Sequence, residues 1–206
     1  FEESMTRLGL ERVPVLHFHD PYMLSVSEAM APGGPVEALV RLRDEGLAGA
    51  IGVAMGTTSL IHEYLKTGAF DAFLSHNRYT ILDRQSEEVM DYAVEHGITV
   101  FNAAPFGGGL LAGKEGGRYG YKPATDEFLA FLDAFRALCD EHRVSSPAAA
   151  LQFSMREPRI DSTVVGIYSR ERLDDLSNLV EAQIPDAFWD GLAALGTPPA
   201  SDIDYR

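Results

Sequence analysis

Short apolar runs, nearly free of charge, alternate along this chain with amphipathic stretches of about 10–15 residues, and no other feature restricts its folding as strongly. The runs at 13–19 (VPVLHFH), 49–55 (GAIGVAM), 71–75 (DAFLS), 98–103 (ITVFNA) and 162–167 (STVVGI) read as strands. Helices are predicted over 35–46, 58–67, 85–96, 125–142, 146–156, 169–182 and 186–195. Their ends carry matching signals: Pro35 opens one helix, Gly68 and Gly97 follow two others, and Thr125 or Asp126, Ser146 and Ser169 stand at capping positions. Apart from His17 and His19 the strands are almost uncharged, as strands covered on both faces should be. Strand–helix repetition of this kind means a parallel sheet with crossover helices, either a doubly wound open sheet or part of a (β/α)8 barrel. Neither GxGxxG nor GxxxxGK[ST] follows any strand, so the usual phosphate fingerprints of open sheets are absent. Five units are three fewer than a closed barrel needs. FEESMTRLGL reads as the second half of an amphipathic helix, so an upstream portion is expected.

With 206 residues, one domain spanning 1–206 is expected. The formal net charge of −14 would repel phosphate backbones, which argues against nucleic acid or an anionic membrane as partner. No apolar run approaches the roughly 20 residues of a membrane span. Cys139 is the lone cysteine, which excludes an internal disulfide and reads as a small buried hydrophobe. A cytoplasmic protein is expected on these grounds. Nothing in the pattern bears on oligomeric state.

In parallel α/β folds chemistry sits at the C-terminal ends of strands. The first strand ends in LHFHDP. Alternation puts Val13, Val15, His17 and His19 on one face and Leu16 and Phe18 on the helix-packing face. His17, a layer deeper, reads as a hydrogen-bonded core histidine, and His19 at the mouth as a donor to a carbonyl. His-x-His followed by Asp20 is also a spacing for a divalent metal. The third strand runs into SHNRYT, where His76 and Asn77 suit an amide, Arg78 reads as a surface charge and Tyr79 as a packed aromatic. After the fourth strand, Gly107, Gly108 and Gly109 let the backbone approach a ligand and expose N–H groups to an anion, or form a flexible loop. The loop from Lys114 to Lys122, with Arg118, Tyr119 and Tyr121, is a candidate pocket wall. Arg170 and Arg172 sit in the first turn of a helix beginning at Ser169, where cations are locally unfavourable, and read either as pointing to an anionic partner or as a solvated pair.

The segments LGL (8–10), LHFHDP, AIGVAM, HNRYTILDR, GITVFNAAPFGGGLLAG and SRERLDDL occur in this order. Together they resemble the aldo-keto reductase superfamily, in particular its sugar-dehydrogenase branch. The resemblance implies a (β/α)8 barrel of which this chain supplies the fourth to eighth βα units. It implies an NAD(P)-dependent oxidoreductase that moves a hydride between the cofactor, NADP or NAD, and a carbonyl or lactol of a small polar substrate such as an aldose. It assigns His19 to the catalytic histidine that orients the carbonyl, and His76 to the carboxamide site where many members carry Gln. Phe106, Gly107, Gly108, Gly109 and Leu110 match the loop over the pyrophosphate. Ser169, Arg172 and Asp175 match positions around the adenosine. The family's catalytic Tyr, Lys and Asp lie in the first three units and match nothing here, so the 206 residues alone are expected to be inactive. Ala103, Gly56, Gly166 and Leu176 replace the Tyr, Asn, Lys and Asn that many members carry there. Two other readings stay open: a non-catalytic barrel acting through partners, and a metal-dependent hydrolase using His17 and His19.

Overall fold

The computed structural model describes residues 1–114, 118–119 and 122–201. The first half runs α1 (Glu2–Leu8), β1 (Val13–His19), α2 (Val26–Ala29), α3 (Pro35–Asp44), β2 (Ala48–Met55), α4 (Thr58–Leu65), β3 (Ala72–His76), α5 (Glu87–Glu95) and β4 (Thr99–Ala103). A 3-10 helix (Gly107–Ala112), β5 (Arg118–Tyr119) and β6 (Lys122–Pro123) follow, then α6 (Asp126–His142), α7 (Ser146–Met155), β7 (Ser162–Val164), α8 (Arg170–Glu181) and α9 (Asp186–Ala194). Strands β1, β2, β3, β4 and β7 form one parallel sheet in that order, while β5 and β6 make a short antiparallel ribbon.

The register puts the hydrophobic alternation to use. Phe18, Val53, Phe73 and Val100 stand in one row across β1 to β4. They pack with Ile61, Tyr64 and Leu65 of α4 and Val89, Met90 and Ala93 of α5. Burying each large apolar side chain there contributes about 1.5–3 kcal/mol. A second cluster joins α6, α7 and α9 through Phe128, Phe135, Cys139, Ala149 and Phe188. Burial pushes the Cys139 thiol up to about 11, consistent with an inert hydrophobe. Two aspartates just before strands fix the lower edge of the sheet: Asp71 accepts from Ile51 N at 2.9 Å, and Asp161 accepts from Val100 N at 2.8 Å.

The opposite face carries His17, Gly52, Leu74 and Phe101. The rings of His17 on β1 and Phe101 on β4 meet edge to face with centroids 5.6 Å apart. Three strand spacings on a flat sheet would hold them about 14 Å apart. The sheet is therefore strongly curled, and Gly52 makes room: a Cβ there would collide with the His17 ring.

Three local expectations change. β7 ends at Val164, not Ile167, because its partner β4 ends at Ala103, the residue paired with Val164. The cap of α7 is Ser145, since the Ser146 hydroxyl donates to Leu111 O at 2.7 Å instead. The triple glycine winds into 3-10 turns rather than an open loop. Helix α2, closed by a capping box of Ser25 and Glu28, falls between the predicted elements. Among the described residues no helix is long and apolar enough to cross a membrane.

Candidate active site

Because all five strands of the main sheet run the same way, the residues at their C-terminal ends lie along one edge. His19 ends β1, with its side chain 72% exposed and Nδ1 3.7 Å from an Asp20 carboxylate oxygen. Asp20 takes a left-handed backbone (φ 47°) and its N–H donates to Ala54 O at 2.9 Å, so the chain turns sharply off the sheet there. His17 lies below. Burial, and secondarily His19, push its pKa down, so the neutral ring is favoured. Its Nδ1 is buried without a hydrogen-bond partner among the described residues, unlike the hydrogen-bonded core histidine expected.

The exit of β3 is the most constrained part of the edge. His76 Nδ1 and Asn77 Nδ2 are 3.2 Å apart. Burial lowers the His76 pKa, Asp20 opposes that, and Arg78 and His19 add to it. Asn77 is left-handed (φ 59°), and its N–H donates to Ala103 O at 3.3 Å. Its Oδ1 is buried without a hydrogen-bond partner among the described residues.

Arg78 is not a surface charge: it is 1% exposed. Its Nε donates to Gly56 O at 2.6 Å, and NH1 reaches Gln85 Oε1 (3.2 Å), Ser201 Oγ (2.9 Å) and Asp83 Oδ2 (3.5 Å). Ser201 in turn donates to Asp83, and Gln85 Nε2 donates to Ser201 O at 2.7 Å. Arg78 thus ties the ends of β2 and β3 to residue 201. No local pattern announces this node, because its members are scattered along the chain. Tyr79 is packed as expected, stacked on Phe153 with centroids 5.1 Å apart. Tyr119 is buried and donates to Asn77 O at 2.6 Å, so it braces the β3 exit. Tyr121 lies outside the described residues.

Beyond β4 the backbone is left-handed at Ala104 and then at Gly107, Gly108 and Gly109 (φ 57°, 67° and 100°). A Cβ on Gly108 would meet nothing within 4 Å, so that flank is open to an approaching group. Phe106 caps the turn, and Leu110 is buried beneath it. On the next unit, Ser169 Oγ accepts from Arg172 N at 3.3 Å and caps α8. The Arg172 guanidinium lies over the Tyr168 ring, 5.5 Å from its centroid. Asp175 follows, exposed, one turn further on. The β-strand ends thus bring His19, His76, Asn77 and the glycine turn to one edge, and the α8 start follows the end of β7. Among the described residues, no three His, Cys, Asp or Glu side chains gather as a metal ion requires.

A model of the Aldo/keto reductase family matches residues 1–196. Pyridoxal 4-dehydrogenase of Microbacterium luteolum is 31% identical over 206 positions, covering 95% of this chain and 60% of that protein. D-threo-aldose 1-dehydrogenase of a Pseudomonas species is 33% identical, covering 93% and 59%. L-galactose dehydrogenase of Arabidopsis thaliana is 28% identical, covering 84% and 54%. The chain therefore spans roughly three fifths of the length of these relatives. The structure of an aldo-keto reductase from Bacillus halodurans, in its holo form, superposes with a TM-score of 0.76 at 21% identity, covering 98% of this chain and 67% of that one. That likeness bears on the fold.

Proposed function

The chain belongs to the Aldo/keto reductase family, and on that premise we propose that residues 1–206 act as one unit of an NAD(P)-dependent oxidoreductase, holding the nicotinamide cofactor and one side of the carbonyl pocket. The observation that carries this reading is the shared sheet edge of His19, the His76–Asn77 pair and the glycine turn. The residues fit the cofactor's chemistry. The buried, unpartnered Asn77 Oδ1 beside His76 is suited to accept from a carboxamide N–H. The left-handed glycines, open on the Gly108 side, are suited to close approach by a pyrophosphate. The capped start of α8, with Ser169, Arg172 and Asp175, is suited to the adenosine end.

A nicotinamide supplies hydride chemistry when bound. His19 donates a hydrogen bond to the carbonyl or lactol oxygen and orients it, while the neutral His17 beneath adds no competing charge. The names of the relatives, pyridoxal, D-threo-aldose and L-galactose dehydrogenases, support a small polar substrate such as an aldose. NADP and NAD are both candidates, with Arg172 available to a 2′-phosphate. A cytoplasmic location, without nucleic-acid or membrane partners, belongs to this reading. Titration of the protein with NADPH and with NADH, followed by nicotinamide fluorescence, tests it. A saturable change with at least one is expected, and Arg172→Ala should weaken NADPH more than NADH. Binding of neither cofactor overturns the proposal.

A further inference from the structure

A cavity of about 450 Å³ opens between the loop after β3, the first turn of α5, the end of α7 and α9. None of its lining residues belongs to the candidate active site. Its walls join flat apolar surface to cationic groups. The Arg84 guanidinium lies 3.9 Å from the centroid of the Phe153 ring, and that of Arg156 lies 4.6 Å from the centroid of Trp189. Neither arginine has a carboxylate oxygen within 4.0 Å among the described residues. Arg84 Nε is buried without a hydrogen-bond partner among the described residues, and its NH1 donates to the Tyr79 hydroxyl at 3.5 Å.

The nearby acids Glu87 and Glu157 attract the Arg84 charge, but neither closes an ion pair with it among the described residues. Glu157 is already held by three hydrogen bonds from Arg159, two from its side chain at 2.7 and 2.9 Å and one from its backbone N–H at 3.1 Å, and by the Tyr79 hydroxyl at 2.6 Å. Glu87, in the first turn of α5, lines the rim but forms no ion pair with either arginine. In a chain of net charge −14, one cavity is thus lined by two guanidinium groups that form no ion pair among the described residues. A desolvated arginine is stabilised most by a charge-assisted hydrogen bond, and the stacked arginines leave their edges for one. The volume lies in the usual range for a small-molecule site.

We propose that this cavity is a second binding site, for a small organic anion with an aromatic body, its acidic group between Arg84 and Arg156 and its ring against Phe153 and Trp189. Tyr79, three residues beyond His76, connects the site to the β3 exit.

Trp189 is the only tryptophan in the chain and so reports on the cavity directly. The test titrates the protein with 4-phenylbutyrate and with its neutral counterpart 4-phenylbutanamide, following Trp189 emission. Saturable quenching or shift by the carboxylate is expected, with binding by the amide at least about tenfold weaker. Arg84→Gln and Arg156→Gln should each weaken the carboxylate by about tenfold while leaving the amide unchanged. Arg156 is exposed, so its variant keeps the test open should Arg84→Gln fail to fold. NADPH should not displace the probe, which separates this site from the proposed cofactor site. Equal binding of acid and amide, unchanged affinity in Arg156→Gln, or no saturable response up to about 10 mM overturns the proposal.

Discussion

Arg78 brings a full charge into the interior, where an ion is tolerated only if its donors are matched. Its fork is matched by Gly56 O, Gln85, Ser201 and Asp83. Burial pushes the Asp83 carboxyl up, and hydrogen bonds from Ser201 and Gln85, together with Arg78, pull against that rise. Replacing Arg78 with Met leaves Asp83 without its cation and should cost about 3–5 kcal/mol, read as a lower midpoint in urea unfolding. An unchanged midpoint would show that the node is energetically neutral. His17 sets a pH dependence. Its folded pKa is depressed by burial, so its contribution is present above the ordinary value of 6.5 and is lost as pH falls below it. His76 acts with the same sign. The melting temperature should therefore hold between about pH 8 and 7 and drop below about 6.5, and His17→Asn should flatten the drop. A slope unchanged in that variant removes His17 from the account. Glu157, held down to about 2 chiefly by Arg159, adds a separate loss between its ordinary 4.5 and about 2.

Between β4 and α6, the 3-10 turn depends on three consecutive glycines in the left-handed region. A side chain there costs about 1–2 kcal/mol of backbone strain. At Gly109 it would also press on Lys114 Cδ and Cβ, at 3.1 and 3.2 Å. Gly109→Ala should therefore raise the NADPH dissociation constant by roughly three- to tenfold with little change in far-UV circular dichroism. Unaltered affinity would remove the turn from the cofactor site. The helices were largely legible in advance because capping and stop signals are local. Ser169 and Thr125 cap where expected, accepting from Arg172 N and Phe128 N. The boundary of β7 was not legible, because a strand stops where its neighbour stops, and β4 lies about sixty residues earlier.

The curl that joins His17 to Phe101 gives the sheet a barrel-like inner surface, yet among the described residues β1 and β7 each pair on one side only. Unpaired edges and a partly exposed inner face invite pairing with other chains. On their own, these 206 residues should associate with rising concentration in analytical ultracentrifugation and show no NAD(P)-linked aldose turnover. A monomer with robust turnover contradicts both expectations.

Strand–helix alternation, uncharged strands and capping residues were readable directly, since each depends on neighbours a few positions away and on a period of 2 or 3.6. So was the placement of His19 and the glycine turn at strand exits, where parallel sheets concentrate chemistry. The burial of Arg78 was not readable, nor was the role of Tyr119 as a brace or the cavity beside Trp189. Arg78 meets Ser201 across 123 positions, and Tyr119 meets Asn77 across 42. Whether a charged or aromatic side chain faces water or the interior depends on which distant segments close over it, and that is settled by packing in three dimensions, which leaves no local periodicity to read.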